Sequence, residues 1–389
     1  MKSKQNTEQM LLSSKLPGVG TSIFTVMSAM AAEHGAINLA QGFPDFDCSD
    51  RLKSLVEKYM RQGFNQYAPM PGVPALRKIM AEKIKSLYGL DVDPDTEITI
   101  TSGATQALYC AISTFIRPDD DVILIEPAYD SYRPSIEVNG GRPIVYEMSA
   151  PDYTIDWRLL ERLITWKTRM IIINTPHNPT GKILKESDWK ELQHLAVNRD
   201  IIVLCDEAYE HLVFDGERHE SLLRYPKIYE RGMSVFSFGK TLHTTGWKLG
   251  CIVAPPDLTK EFRKVHQFNV FAVNTPMQHA VAEYFQTPDD YLALNDFFEK
   301  KRDFLLGAMS GSRFKPLHSE GSYFQLYDYS AISDEPDTEF VKRILLEHGV
   351  AAIPVSVFYS SHKQGRVIRL CFAKKEETLE KAAALLSKI

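Results

Sequence analysis

Lys240 is the residue whose type and setting offer covalent chemistry. It lies in Gly-Met-Ser-Val-Phe-Ser-Phe-Gly-Lys-Thr-Leu-His-Thr-Thr-Gly-Trp-Lys-Leu-Gly, the stretch from Gly232 to Gly250. Met233 to Phe238 is short, apolar and β-leaning, which predicts a buried strand. Lys240 then follows the C-terminal end of that strand, where open α/β sheets place their ligand crevices. Desolvation and a nearby cation depress an ammonium pKa and turn lysine into an amine nucleophile able to form a Schiff base with an aldehyde. Lys248, eight residues on, supplies such a cation. Two other readings compete for the stretch. A surface Gly-Lys turn would leave both lysines solvated, as lysines mostly are. A nucleotide-binding loop needs Gly-x-x-x-x-Gly-Lys-[Ser/Thr], but its first glycine position holds Ser234, and Gly232 comes too early.

Further polar residues gather at the ends of other predicted strands. Glu97 to Thr101 runs into Ser102-Gly-Ala-Thr-Gln106 and an apolar helix through Ile116. Free backbone N–H groups and the helix dipole at such a turn make an anion site, so Ser102, Gly103, Ala104 and Thr105 are candidates to hold a phosphate. Ser and Thr are also ordinary helix caps. Val122 to Ile125 ends in Glu126-Pro-Ala-Tyr129, which puts an aromatic at the crevice edge, and Pro143 to Glu147 is a further strand. Met170 to Ile173 leads to Asn174-Thr-Pro-His-Asn-Pro-Thr-Gly181, where Asn178 is either a site residue or a turn residue. Ile201 to Cys205 ends in Asp206-Glu-Ala-Tyr209. That run resembles the acidic strand of an NTPase, but it precedes a phosphate loop that is itself broken.

The elements that must position these groups follow from pattern and composition. With 389 residues and 44% apolar content the chain can bury a large core and should split into about two domains. Buried strands separated by helical segments predict an α/β fold, a doubly wound and mostly parallel sheet with its polar residues at the C-terminal edge. Its expected span is 46–285. Thr21 to Glu33 carries helical periodicity, and the loop Asn38-Leu-Ala-Gln-Gly-Phe-Pro-Asp45 after it contains Gly42, which lets backbone approach a ligand or simply makes a turn. Arg51 to Gly63 and Val73 to Tyr88 read as helices flanking the proline-punctuated loop Asn65-Gln-Tyr-Ala-Pro-Met-Pro-Gly72, which holds Tyr67. A helix from about Pro255 runs toward Asn274-Thr-Pro276, whose proline should kink or restart it.

The span 286–389 changes to an α+β pattern and predicts a smaller domain, with the segment 1–45 docking on both. It reads as a helix from Tyr291 to Met309, a strand at Ser322 to Tyr327 and a helix at Asp337 to His348. Strands near Val350 to Pro354 and at Val367 to Phe372 and a helix from Lys375 to Ile389 complete it. Arg369 lies in the last strand, on the face opposite Ile368 and Leu370 by alternation. A buried arginine needs a partner, so a carboxylate of protein or substrate should face it.

A net charge of −5 with acids and bases mixed along the chain leaves no basic stripe for nucleic acid. Met1 to Met10 lacks the apolar core of a secretory signal, Met1 to Lys15 reads as a loose tail, and no apolar run approaches the ~20 residues of a membrane span. A cytoplasmic protein is expected. Five cysteines without Cys-x-x-Cys spacing read as reduced core residues.

Assembled, one crevice would hold an amine, an anion cradle, an aspartate, tyrosines, an asparagine and an arginine, an inventory that suits pyridoxal phosphate. Ser-Phe-Gly-Lys with Gly-Trp-Lys-Leu-Gly after it, Asn-Pro-Thr-Gly, Asp-Glu-Ala-Tyr and the Val-Ile-Arg-Leu strand occur in the expected order. From about Phe24 to the last helix the chain resembles the fold-type I pyridoxal-phosphate aminotransferases, within them the kynurenine and glutamine aminotransferase group and bacterial methionine aminotransferases. The resemblance implies that Lys240 carries the Schiff base and shuttles protons, that Asp206 keeps the pyridine nitrogen protonated, and that Asn178 and Tyr209 hold the phenolic oxygen. It places Gly103, Ala104, Thr105, Ser237 and Lys248 at the phosphate and Tyr129 on the ring. Arg369, Asn178 and the Gly42 backbone take the substrate α-carboxylate, with Phe24 beside it. Tyr67 would reach the phosphate of the neighbouring subunit, implying a homodimer with shared sites. Many relatives carry arginine where Lys248 stands, and lysine keeps the charge without the bidentate fork. The expected activity is transfer of the amino group of an uncharged amino acid to a 2-oxo acid; a carbon–sulfur β-lyase would share the apparatus. No metal is expected.

Overall fold

The computed structural model describes residues 13–361 and 363–389. Most of the expected tail, Met1 to Leu12, lies outside the described residues. The chain enters through α1 (Ile23–Glu33), started by the Ser22 side chain accepting from the Thr25 N–H, and β1 (Ile37–Asn38). Helices α2 (Asp50–Arg61) and α3 (Pro74–Tyr88) follow, with Pro74 in the first turn of α3 where its missing N–H is harmless.

A seven-stranded sheet then forms from β2 (Ile98–Thr101), β3 (Asp121–Glu126), β4 (Arg142–Glu147), β5 (Thr168–Asn174), β6 (Ile202–Asp206), β7 (Gly232–Ser237) and β8 (Gly250–Val253). Its order is β2-β8-β7-β6-β5-β3-β4, and β8 alone runs against its neighbours. The continuous apolar runs of β3, β5 and β6 have a simple cause. Ile123, Ile125, Ile171, Ile173 and Val203 enter one core, while Val122, Leu124, Met170, Ile172 and Leu204 enter another on the opposite face. Burial on both faces removes the alternation that a half-exposed strand would show. Each such side chain contributes about 1.5–3 kcal/mol of burial free energy.

The C-terminal part builds a four-stranded antiparallel sheet in the order β12-β13-β10-β9, from β9 (Lys315–Pro316), β10 (Phe324–Asp328), β12 (Ile353–Pro354) and β13 (Val367–Cys371). The two-residue β11 (Val350–Ala351) pairs in parallel with β1, so the N-terminal segment is stitched to the C-terminal part. The architecture is therefore the α/β fold expected, with differences in detail. One detail agrees: the helix from Pro256 ends at Asn269, and a new one, Thr275–Tyr284, restarts with Pro276 in its first turn, as that proline predicts. The helix expected over 291–309 is two, Asp289–Leu292 and Leu294–Ala308. The strand expected from Ser322 begins at Phe324, because Ser322 takes a left-handed φ of +63°. The expected strand over 350–354 is divided between two sheets. Strand β8 had no counterpart among the expected elements.

All five cysteines are free and buried. Among the described residues no helix is long and apolar enough to cross a membrane, and no His/Cys/Asp/Glu cluster could hold a metal ion.

Candidate active site

A cavity of about 370 Å³ opens at the C-terminal edge of the large sheet. Lys240 reaches it from the short helix Phe238–Thr241 that follows β7. Its Nζ donates to the Gly42 carbonyl at 3.0 Å and to Tyr323 Oη at 2.7 Å, and Tyr323 Oη in turn donates to Gly42 O. Burial pulls the Lys240 pKa down to about 8; Arg369 and Lys248 push the same way, against Cys371 and Asp206. An amine poised near neutrality is thus built by desolvation first and by neighbouring cations second.

Asp206 ends β6 and is 5% exposed. Its Oδ2 accepts from Tyr132 Oη at 2.7 Å and its Oδ1 from the Ala208 N–H at 3.1 Å. Burial raises its pKa, opposed by those two donors and by Lys240. Tyr209, on the turn just beyond, is buried edge-on against Tyr323 with centroids 5.0 Å apart.

One end of the cavity is shaped for an anion. Gly103 opens α4 (Gly103–Phe115) with a φ of +77°, a conformation that favours glycine, and leaves the first N–H groups of the helix facing the cavity with Ala104 and Thr105. A Cβ on Gly103 would lie 3.3 Å from Lys248 Cε, which fixes how close the Lys248 cation stands. Ser237 lines the same end. Gly250 is the reason α4 can come so near: a Cβ there would meet Phe236 O at 2.4 Å and Ala104 N at 3.2 Å.

The other end is the Arg369 guanidinium, 1% exposed. Nη1 donates to Asn178 Oδ1 at 2.7 Å and Nη2 to Ala40 O at 2.9 Å, while buried Nε has no partner. Its Cζ lies 3.8 Å from the Phe324 ring centroid, 5.2 Å from that of Phe24 and 5.3 Å from that of Phe358. Of the two carboxylates expected, of protein or of substrate, no protein one is bound to it among the described residues; an amide, a carbonyl and three aromatic faces surround it. Burial lowers its pKa to about 10. Because Asn178 Oδ1 is taken by Arg369, its Nδ2 is the group left to donate.

The residues singled out from the sequence as site candidates, from Phe24 and Gly42 through Tyr129 to Arg369, line this cavity except Ser102, which stands just before α4, and Tyr67. Tyr67 is 81% exposed and stands edge-on to Phe271 at 5.0 Å, away from its own chain's cavity. Sequence reasoning missed Tyr323 and Tyr132, which bond Lys240 and Asp206. It also missed Asn174, whose Oδ1 accepts from the Asn178 N–H at 2.8 Å and whose Nδ2 donates to Asp206 O at 2.9 Å. Asn174 ends an apolar strand just as Asp206 does, a signal that was available; nothing local marks the two tyrosines.

A buried amine, an acid on the sheet edge, an anion cradle and an arginine in one cleft define an enzyme of nitrogen chemistry, and the sequence matches the family described as aminotransferase class I and II over residues 34–386. The chain belongs to that family and is an aminotransferase. It is 48% identical to the methionine aminotransferase of Escherichia coli (strain K12) over 97% of this chain and 98% of that one. It is 33% identical to human kynurenine–oxoglutarate transaminase 1, covering 94% and 95% of the two chains. The crystal structure of YbdL from Escherichia coli, described as having a methionine aminotransferase function, superposes with a TM-score of 0.96 at 47% identity, covering 98% of this chain and 100% of that one.

Proposed function

We propose that this aminotransferase uses pyridoxal 5'-phosphate to move the amino group of an uncharged amino acid, methionine, glutamine or an aromatic one, to a 2-oxo acid. The observation that carries the reading is a half-buried Lys240 amine with its pKa near 8, set between an anion cradle at α4 and an Arg369 whose buried Nε is unpartnered. These residues fit the cofactor. Gly103, Ala104, Thr105, Ser237 and Lys248 would hold its phosphate, Tyr129 its ring, Asp206 its pyridine nitrogen, and Asn178 Nδ2 with Tyr209 its phenolic oxygen. When bound, pyridoxal phosphate supplies a carbonyl carbon for amines and a ring that takes up the electron pair left by a departing α-proton.

The chain's own residues do the rest. Arg369 Nε and Asn178 Nδ2 bind the substrate carboxylate, beside Phe24 and the Gly42 backbone. Lys240 Nζ accepts the α-proton, held toward the cavity by Tyr323 Oη and Gly42 O. Asp206 stays ionised beside a pyridinium because Tyr132 and the Ala208 N–H donate to it. The methionine and kynurenine named for its relatives support a neutral or aromatic side chain. A carbon–sulfur lyase would use the same groups and is not favoured, since these relatives are aminotransferases.

We assign residues 46–285 to a large domain and 286–389 to a small one, with segment 1–45 docking on both; the β1–β11 pairing supports the contact of that segment with the small domain. The exposure of Tyr67 supports a homodimer in which it serves the partner's site. We assign the protein to the cytoplasm. Absorbance of the purified protein with added cofactor, followed by a panel of amino donors, tests the function. A visible band lost in Lys240→Ala, with methionine, glutamine or an aromatic acid as best donor, is expected; aspartate as the best donor would overturn the substrate class.

A further inference from the structure

Asp130 is a cavity residue that the reaction outlined above leaves without a role. It sits in the loop after β3, beside Tyr129, and lines the same cavity as Phe24, Phe43, Phe324 and Arg369. Among the described residues its carboxylate has no ion-pair or side-chain hydrogen-bond partner, and the residue is exposed while lining the cavity. Partial desolvation raises the carboxyl's pKa, and the Arg369 guanidinium pulls it back toward the ionised form. The cavity has three cationic side chains, Lys240, Lys248 and Arg369. On the reading above each is committed, to proton transfer, to the phosphate end and to the α-carboxylate.

We propose that Asp130 is the specificity-determining residue that turns away amino acids with an acidic side chain. This rests on the reading of the cavity as an amino-acid site, with the α-carboxylate on Arg369. A side chain running from that end toward the mouth meets aromatic faces and a lone carboxylate. A neutral side chain, apolar or amide, is accepted there. A second carboxylate meets a like charge and finds no free cation, and like charges brought together in a partly desolvated site repel. The selection is made by repulsion, added to the apolar attraction of the phenylalanines.

The experiment uses the holoenzyme and its Asp130→Asn variant, with methionine and glutamate as competing amino donors. The ratio of kcat/KM for glutamate to that for methionine should rise by about tenfold in the variant, through a gain on glutamate, and the gain should shrink at high salt. A second measurement is independent of turnover. Calorimetric binding of glutarate should tighten by about tenfold in the variant while that of pentanoate changes less than about twofold, a tenfold step being about 1.4 kcal/mol. A ratio that stays within about twofold, or glutarate and pentanoate weakening together, overturns the role of Asp130. If the unmodified enzyme transaminates no amino acid at all, the functional reading fails instead, and the glutarate and pentanoate comparison still decides what Asp130 does.

Discussion

Lys240 shows how one half-buried residue sets both chemistry and stability. Its folded pKa of about 8 lies below the ordinary 10.5, so between those values the unfolded chain holds a proton that the folded chain has released. Raising the pH through that window stabilises the cofactor-free fold, and below pH about 8 the buried ammonium is a standing penalty. Lys240→Met should therefore be more stable than the parent cofactor-free protein near neutrality, with an advantage that narrows as the pH rises toward 10. Denaturant midpoints across that range measure it; an advantage independent of pH would show that Lys240 titrates normally. Asp206 invites a different test. Asparagine at position 206 can still accept from the Ala208 N–H through Oδ1, and its Nδ2 can donate to Tyr132 Oη, so Asp206→Asn should fold and yet lose most turnover, because a neutral amide cannot balance a pyridinium by charge. If Asp206 were only a turn cap the exchange would matter by less than ~1 kcal/mol, and activity within a few-fold of the parent would show it.

At the scale of elements, β6 ends in Asp206, and the turn after it carries Tyr209 and is pinned to α3 by a buried ion pair. Lys83 Nζ and Glu210 Oε1 are 2.5 Å apart, both side chains are at most 3% exposed, and Tyr88 Oη donates to Glu210 Oε2 at 2.6 Å. Burial alone would raise the Glu210 pKa; Lys83 and His211 reverse this and hold it well below the carboxylate range. Lys83→Met strands a buried carboxylate and should cost about 3–5 kcal/mol in urea unfolding. The double variant Lys83→Met with Glu210→Leu should recover most of that loss, because an apolar pair of similar volume has no charge to desolvate. A double variant as unstable as the single one would mean that the pair acts through packing.

For the whole molecule the question is what covers Tyr67. Its loop lies beside the start of the helix Thr275–Tyr284, where Thr275 Oγ1 donates to Gln66 O at 2.6 Å, and its ring projects into solvent with Phe271, which is 54% exposed. If Tyr67 serves the partner's phosphate end, subunits carrying Lys240→Ala and subunits carrying Tyr67→Ala complement each other. In a two-fold heterodimer one site receives both intact parts and the other neither. Mixed, reassembled subunits should regain up to half the parent activity per heterodimer. No recovery in a mixture whose wild-type controls reassemble normally, or an active monomer in solution, removes the shared site.

What the sequence determined by itself was the set of groups at the sheet edge. An apolar run that stops at a polar or small residue is local information, and it located Gly103 to Thr105, Tyr129, Asp206 and Lys240 without knowledge of their neighbours. The dense burial of β3 and β6 on both faces was legible for the same reason. Only the tertiary structure decided which distant groups complete them. Tyr323 meets Lys240 across 83 residues of chain, Tyr132 meets Asp206 across 74, and Arg369 meets Asn178 across 191. Periodicity states which side of an element is buried, but not which element lies opposite, so the amide and the three phenylalanine rings that surround the Arg369 guanidinium were not legible in the sequence. Strand β8 escaped notice. Its place between β2 and β7 is fixed by pairing on both edges and by a glycine that admits the helix beside it.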